Sequence, residues 1–265
     1  MAQPASGAMH DRHSLSWRLN SRWFVLLGGA RAAIMQVAEP KVAAGVAQYS
    51  TYRTDPLGRL ERTMDAMLTI GFGTPARREE VLADLRAVHT RVRGRTGSGS
   101  PYSALDPELM YWVLATLVDT VMVVERRYRG RMRHVDRERY IDESRALAEA
   151  FGIPARFVPE DLATFRTYMS DRIASIVPDD DSRAITHTLL QPRLPAVPAV
   201  AFVPMEWVTT ELLPSTMAHR LGLNDLNMAQ LAAVRGAQAA SRLALPLLPE
   251  SLTASPFAGR ALDAS

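Results

Sequence analysis

An all-α fold, one globular domain of about eight to ten helices, is what this sequence predicts, and three observations lead there. Capping signals recur along the chain, runs with the two-residue period of strands are hard to find, and neither a repeat nor a shift in composition divides it. With 265 residues, 47% hydrophobic and 22% charged, the chain can bury one sizeable core. Residues 1–16 mix Ala, Ser, Gly, His and Asp without period and read as a mobile tail, so the folded domain is expected over 17–248. Helices over 31–39 and 41–50 part at Pro40. Asp55-Pro56 and Thr74-Pro75 each set a capping side chain before a proline at the first helical position, with Gly73 and Gly94 as stops. They frame consecutive helices over 56–71 and 75–93. Further helices are expected over 106–129, 136–151, 159–176, 180–190, 206–221 and 224–245, with a proline-rich irregular link over 192–204 and a mobile tail from 249 to 265.

Composition excludes much. The absence of cysteine removes disulfides, iron–sulfur clusters, thiolate-ligated haem and cysteine nucleophiles, so any metal or haem must be held by His, Met, Tyr or carboxylate. The 31 basic and 28 acidic side chains leave a net charge of +3, and they alternate along the chain as on solvated helix faces. Lys41 is the only lysine. No nucleic-acid reader motif is present, and none of the phosphate-loop, dinucleotide, nucleophile-elbow or zinc-protease signatures occurs. The apolar run 23–27 is too short for a signal peptide, so a cytoplasmic location is expected. The apolar stretches 23–47, 110–124 and 194–213 are each too short or too interrupted for a spanning helix, although the last suits peripheral contact with a membrane surface.

The residues suited to chemistry are few. On the helix over 75–93, Val81, Leu82, Leu85, Val88 and Val92 keep helical spacing and His89 falls on that stripe, so His89 is expected to face the core, as a hydrogen-bonded core residue or as an iron ligand. The preceding helix is apolar over most of its circumference, which leaves Arg59 and Arg62 facing either a carboxylate such as Glu39 or Asp119, or a buried anion. Thr116 and Asp119 stand one turn apart and suit an internal polar network. His134 and Asp136 form a lone H-x-D among arginines, a solvated loop in this reading, and Asp179-Asp180-Asp181 reads as a helix start.

A set of short stretches carries a family resemblance. They are Gly28-Gly29-Ala30-Arg31-Ala32 with Gln36 and Pro40, then Arg59-Leu60-Glu61-Arg62-Thr63, then Val88-His89-Thr90-Arg91-Val92-Arg93-Gly94. Tyr102-Ser103-Ala104-Leu105-Asp106-Pro107, Trp112-Val113-Leu114-Ala115-Thr116-Leu117, Phe151-Gly152-Ile153-Pro154 and Leu213-Pro214 complete the set. Together, over 23–223, the chain resembles the haem-dependent oxygenases that include the bacterial rubber oxygenases (latex-clearing proteins) and the MpaB oxygenases. The resemblance implies an all-α fold, a b-type haem held by a proximal histidine, and the use of dioxygen to oxidise or cleave hydrophobic substrates. His89 matches the proximal ligand, and Arg59 and Thr63 match the Arg-x-x-x-Thr pair of the haem pocket. Arg62 stands where rubber oxygenases have a lysine that reaches the distal iron face, and arginine, always protonated, is a poor ligand. Glu39 corresponds to the catalytic glutamate, a base or orienting group. Many members have His at the positions of Glu39 and Leu114, and Leu114 removes a polar group. A haem b oxygenase is therefore the expected function. The alternatives are a haem- or lipophile-binding carrier or sensor of the same fold, and a haem-free helical protein acting in a complex.

Overall fold

The computed structural model describes residues 13–52, 55–192 and 198–255. Ser14 accepts the Trp17 N–H and starts α1 (Leu15–Asn20), and a 3-10 turn over Trp23–Gly28 leads into α2 (Gly29–Val37). Glu39 and Pro40 open α3 (Pro40–Tyr49), Asp55 and Pro56 open α4 (Pro56–Phe72), and Thr74 and Pro75 open α5 (Pro75–Arg91). The chain then forms an antiparallel ribbon of β1 (Arg93–Arg95) and β2 (Pro101–Ser103), with Gly94 opposite Tyr102. Beyond it lie α6 (Pro107–Tyr128), α7 (His134–Ala150), α8 (Leu162–Ser175) and α9 (Asp180–Leu190), then α10 (Val203–Leu212), α11 (Ser215–Arg220), α12 (Met228–Ala244) and α13 (Glu250–Thr253). The fold is all-α, and ten of these helices run nine residues or longer.

Four expectations change. The helix from Pro75 stops at Arg91, two residues early, because 93–95 pair with 101–103 as strands. The expected helix over 206–221 is two, because Leu213 before Pro214 is driven into an extended conformation. The expected N-terminal tail is docked from Ser14 onward, where the Leu15 and Ser16 N–H groups donate to Glu143 at 3.1 and 2.6 Å. At the other end, where a tail was expected from 249, α13 forms, Ala254 pairs with Arg22, and Thr253 and Ser255 are buried.

The core is built around α6, on which α2, the 3-10 turn, α7 and α12 pack. Trp112, fully buried, donates its indole N–H to the Met35 carbonyl at 3.2 Å. Gly28 is where the chain crosses α6, and a Cβ there would lie 2.8 Å from Val124 Cγ2 and closer still to Thr120 Cγ2, so only glycine fits. Arg31, 1% exposed, donates to the Leu212 carbonyl, to Thr120 Oγ1 and to Asp119 Oδ2, tying α2 to α6 and α10. Among the described residues α6 is the helix long and apolar enough to cross a membrane by length and composition, and more than half of that stretch is buried within the fold.

The α4–α5 hairpin is different. It packs chiefly on itself, and its corner joins the body through Leu68 and Phe72 against Trp17, whose ring meets that of Phe72 edge-on at 4.9 Å. No residue of α5 is buried, and none from Glu61 to Met67 on α4 is either.

Candidate functional site

The His89 site begins with how α5 ends. Arg78, in its first turn, holds the hairpin corner by donating to the Ile70 and Gly73 carbonyls at 3.0 and 3.4 Å. The far end runs straight into the β-ribbon, which is fixed to α3 by Tyr102 donating to Gln48 at 2.7 Å and Tyr49 donating to the Arg93 carbonyl at 3.0 Å. The last turn of α5, and His89 with it, is therefore anchored from outside the hairpin. Arg59 and His89 stand the same fifteen residues from Thr74, so both lie toward the open end of the hairpin.

His89 opens on a shallow, solvent-open hollow lined by Leu82, Leu85, Arg86, Leu105, Met110 and Phe151. Val81, Leu82 and Leu85 follow the expected stripe but are only half-buried, and Val88 is exposed, so His89 sits at the edge of this hollow and not in the core. The stripe is real in spacing but finds too little protein to cover it. Burial pushes the His89 imidazole below the ordinary histidine range, and the ring has no hydrogen-bond or ion-pair partner among the described residues. A neutral, unpartnered imidazole facing apolar side chains has a lone pair to offer an iron. Among the described residues no three His, Asp or Glu side chains gather as a metal cage, and a haem iron, already held by four porphyrin nitrogens, needs only one axial ligand. The donor set fits haem. The loosely packed hairpin arms also resist the entry of a planar group less than a close-packed core does.

The other candidates are placed as follows. The Arg59 side chain lies outside the described residues. Thr63 is exposed on α4, one turn after Arg59. Arg62 is also exposed, donating to Asp55 at 3.0 Å and Thr51 at 3.3 Å, and its hydrogen bond holds the Asp55 carboxyl below the usual range. Neither Thr63 nor Arg62 lines the hollow. Glu39 caps α3 and accepts a hydrogen bond at 2.7 Å from Arg172 on α8. Leu114 lies in the main core. Thr116 is satisfied by the Val113 carbonyl, Asp119 is engaged by Arg31, and His134 and Asp136 are on the first turn of α7, with His134 exposed. Asp179 caps α9, as expected of a helix start.

Sequence reasoning missed the cluster around Glu39. The Arg172 guanidinium lies 5.4 Å from the Trp112 ring centre, and Tyr168 meets Tyr111 with ring centres 5.0 Å apart. Burial pushes the Tyr168 phenol up to about 12 against the opposing effect of Arg172, and burial also raises Tyr111. Met110 lines the hollow, and its neighbour Tyr111 belongs to this cluster. No spacing within one segment links residues 39, 112 and 172, so no sequence signal was available. Arg31 did carry one, since it continues the stripe of Ile34, Met35 and Ala38.

Residues 17–243 match the family model described as ER-bound oxygenase mpaB/B'/Rubber oxygenase, catalytic domain. The chain belongs to that family. No match was found to a curated protein or to a solved structure.

Proposed function

We propose that this member of the mpaB and rubber oxygenase family is a haem b-dependent oxygenase that uses dioxygen to oxidise or cleave a hydrophobic substrate, with His89 as the axial iron ligand. The observation that supports this reading is the neutral, unpartnered imidazole on a hollow of otherwise mostly apolar side chains. Haem b, when bound, supplies the iron at which dioxygen is activated. The chain's own residues do the rest. Desolvation keeps His89 unprotonated at neutral pH, so its lone pair is available for the metal. Leu82, Leu85, Leu105, Met110 and Phe151 would give the bound group an apolar wall beside His89. By the family resemblance Arg59 would balance the charge of the haem carboxylates and Thr63 would hydrogen-bond nearby, while Arg62, paired with Asp55, is engaged on the surface. Glu39, its carboxylate hydrogen-bonded by Arg172, would serve as the base or orienting group.

The test is the absorption spectrum and pyridine haemochrome of protein expressed with a haem precursor. About one haem per chain is expected, lost in His89→Ala with the helical circular dichroism unchanged. A folded His89→Ala that keeps its haem would overturn the ligand assignment, and a folded parent that takes up none would overturn the haem reading. Product formed from a candidate apolar substrate under oxygen and not under nitrogen separates turnover from mere binding.

A further inference from the structure

Among the described residues, one end of the molecule carries a group of exposed bulky apolar side chains. A small cluster of Phe24, Val124, Tyr128, Leu212 and Leu245 gathers the 3-10 turn, the end of α6, α10 and the end of α12. The outward neighbours of these residues are exposed: Leu247 at 83%, Leu243 at 77%, Leu252 at 62%, and Trp23 and Met205 at about 40%. The Arg22–Ala254 pairing and the Ser255 N–H to Ser21 carbonyl bond bring the segment after Leu252 to the residues beside Trp23. Scattered single leucines on a surface need no explanation, but a group joined through one underlying cluster does.

The charge around this surface is mainly positive, with Glu250 as the acid within its last segment. Arg242 donates to the Arg127 carbonyl at 2.9 Å, which brings the end of α12 against the end of α6. From that end Arg126, Arg129 and Arg131 follow within six residues, and none of the three has a hydrogen-bonded or ion-pair partner among the described residues. The nearby acids are engaged: Glu125 with Arg22, Glu211 with Arg127 and Gln238, and Asp119 with Arg31. From Met228 to Leu252 the charged residues are Arg235, Arg242 and Glu250.

We propose that this end, with Leu243, Leu247, Leu252 and Trp23 inserting and Arg126, Arg129 and Arg131 beside them, docks on the surface of an anionic lipid bilayer. Leucine and tryptophan partition into the headgroup boundary, while arginine extends its guanidinium to lipid phosphates. A second copy of the chain fits less well, because a two-fold contact sets the same cluster of arginines against itself. This inference does not depend on the haem reading.

The experiment is co-sedimentation of the full chain with phosphatidylcholine vesicles, with and without phosphatidylserine as the minority lipid. Binding is expected only with phosphatidylserine, and it weakens as salt rises from about 0.1 M to about 1 M and the Debye length falls from about 10 Å to about 3 Å. Leu243→Glu with Leu247→Glu lowers affinity about tenfold or more. Arg126→Glu, Arg129→Glu and Arg131→Glu together lower it on the order of a hundredfold. These side chains are exposed or half-exposed, so circular dichroism should match the parent. No binding by the folded parent, equal binding to both vesicles, or variants that bind like the parent would each overturn the proposal. So would a concentration-dependent dimer that Leu247→Glu dissolves without any vesicle binding.

Discussion

Replacing Arg31 by methionine tests the tie between α2, α6 and α10 directly. The guanidinium donates through Nε to the Leu212 carbonyl at 2.8 Å and through Nη1 and Nη2 to Thr120 and Asp119. The bond to the carboxylate is worth about 1.5–3 kcal/mol and the two neutral bonds about 0.5–1.5 kcal/mol each. Methionine fills most of the space, so little of the loss is cavity, but the Leu212 carbonyl and Asp119 lose their donors. Asp119 keeps 22% of its side chain exposed and is partly rehydrated, which places the expected loss at about 3–4 kcal/mol, near the lower end of the range for a broken buried pair. Adding Asp119→Leu removes the stranded charge and should restore at least about half of that loss. Arg31→Lys should recover little, because an ammonium cannot span three acceptors with the guanidinium fork. The assay is urea unfolding followed by circular dichroism, at equal haem content because a ligand that binds the native state adds its own stability. An Arg31→Met protein within about 1 kcal/mol of the parent, or a double variant no more stable than the single one, refutes the reasoning.

Gly28→Ala should cost about 1–3 kcal/mol, because the new methyl group meets β-branched Thr120 and Val124 and Thr120 is held by Arg31; the urea midpoint checks it, and an unchanged midpoint contradicts the close approach. Burial pushes the Glu143 carboxyl up, but the hydrogen bonds from Ser16, Leu15 and Arg139 outweigh it and leave the group below its ordinary value. Its contribution is thus present above pH 4.5 and lost as pH falls through the depressed folded value. Glu143→Gln should therefore weaken the protein at pH 7, and the two proteins should converge in strong acid. A difference independent of pH argues against it. His89 has a lowered folded pKa, so the unfolded chain takes the proton first and stability falls as pH drops below 6.5. In haem-free protein, His89→Phe should flatten this acid limb, and parallel pH curves for the two proteins count against a desolvated imidazole.

What the sequence made legible was what local chemistry decides. The caps at Asp55 and Thr74 and the prolines behind them set helix starts to the residue, as did the acidic run at Asp179, since each orphan N–H finds its acceptor within a few positions, while the helix expected from 106 begins one residue later behind its cap Asp106. The β-ribbon escaped because three-residue strands around Arg-Gly-Arg have no period to read, and they hold through Tyr102 and Gln48, 54 residues apart. The break at Pro214 was readable from the proline but was hidden by apolar spacing that continues through it. Among the candidates, His89 was singled out by its stripe and its family resemblance, although the stripe pointed to the core and the structure leaves His89 at the edge of a hollow, whereas Arg172 and the Glu39 cluster depend on α8 returning to α3. Only the folded chain provides that contact.

The two halves of the site differ in stiffness, and the difference follows from what each must hold. Glu39 is at the start of α3, bound to Arg172 over the fully buried Trp112, so its carboxylate is placed by close-packed side chains that have little freedom to shift. His89 belongs to a helix without a buried residue, fixed only at the Arg78 corner and at the β-ribbon. If both were packed like α6, a large planar group could enter only by breaking a core. If both were as loose as α5, nothing would hold the reacting end in place. If the proposed haem binds beside His89, a hairpin fastened at its two ends would admit it without breaking a core, and the α5 stripe of Leu82, Leu85 and Val88 would gain from it burial that it lacks in the protein alone.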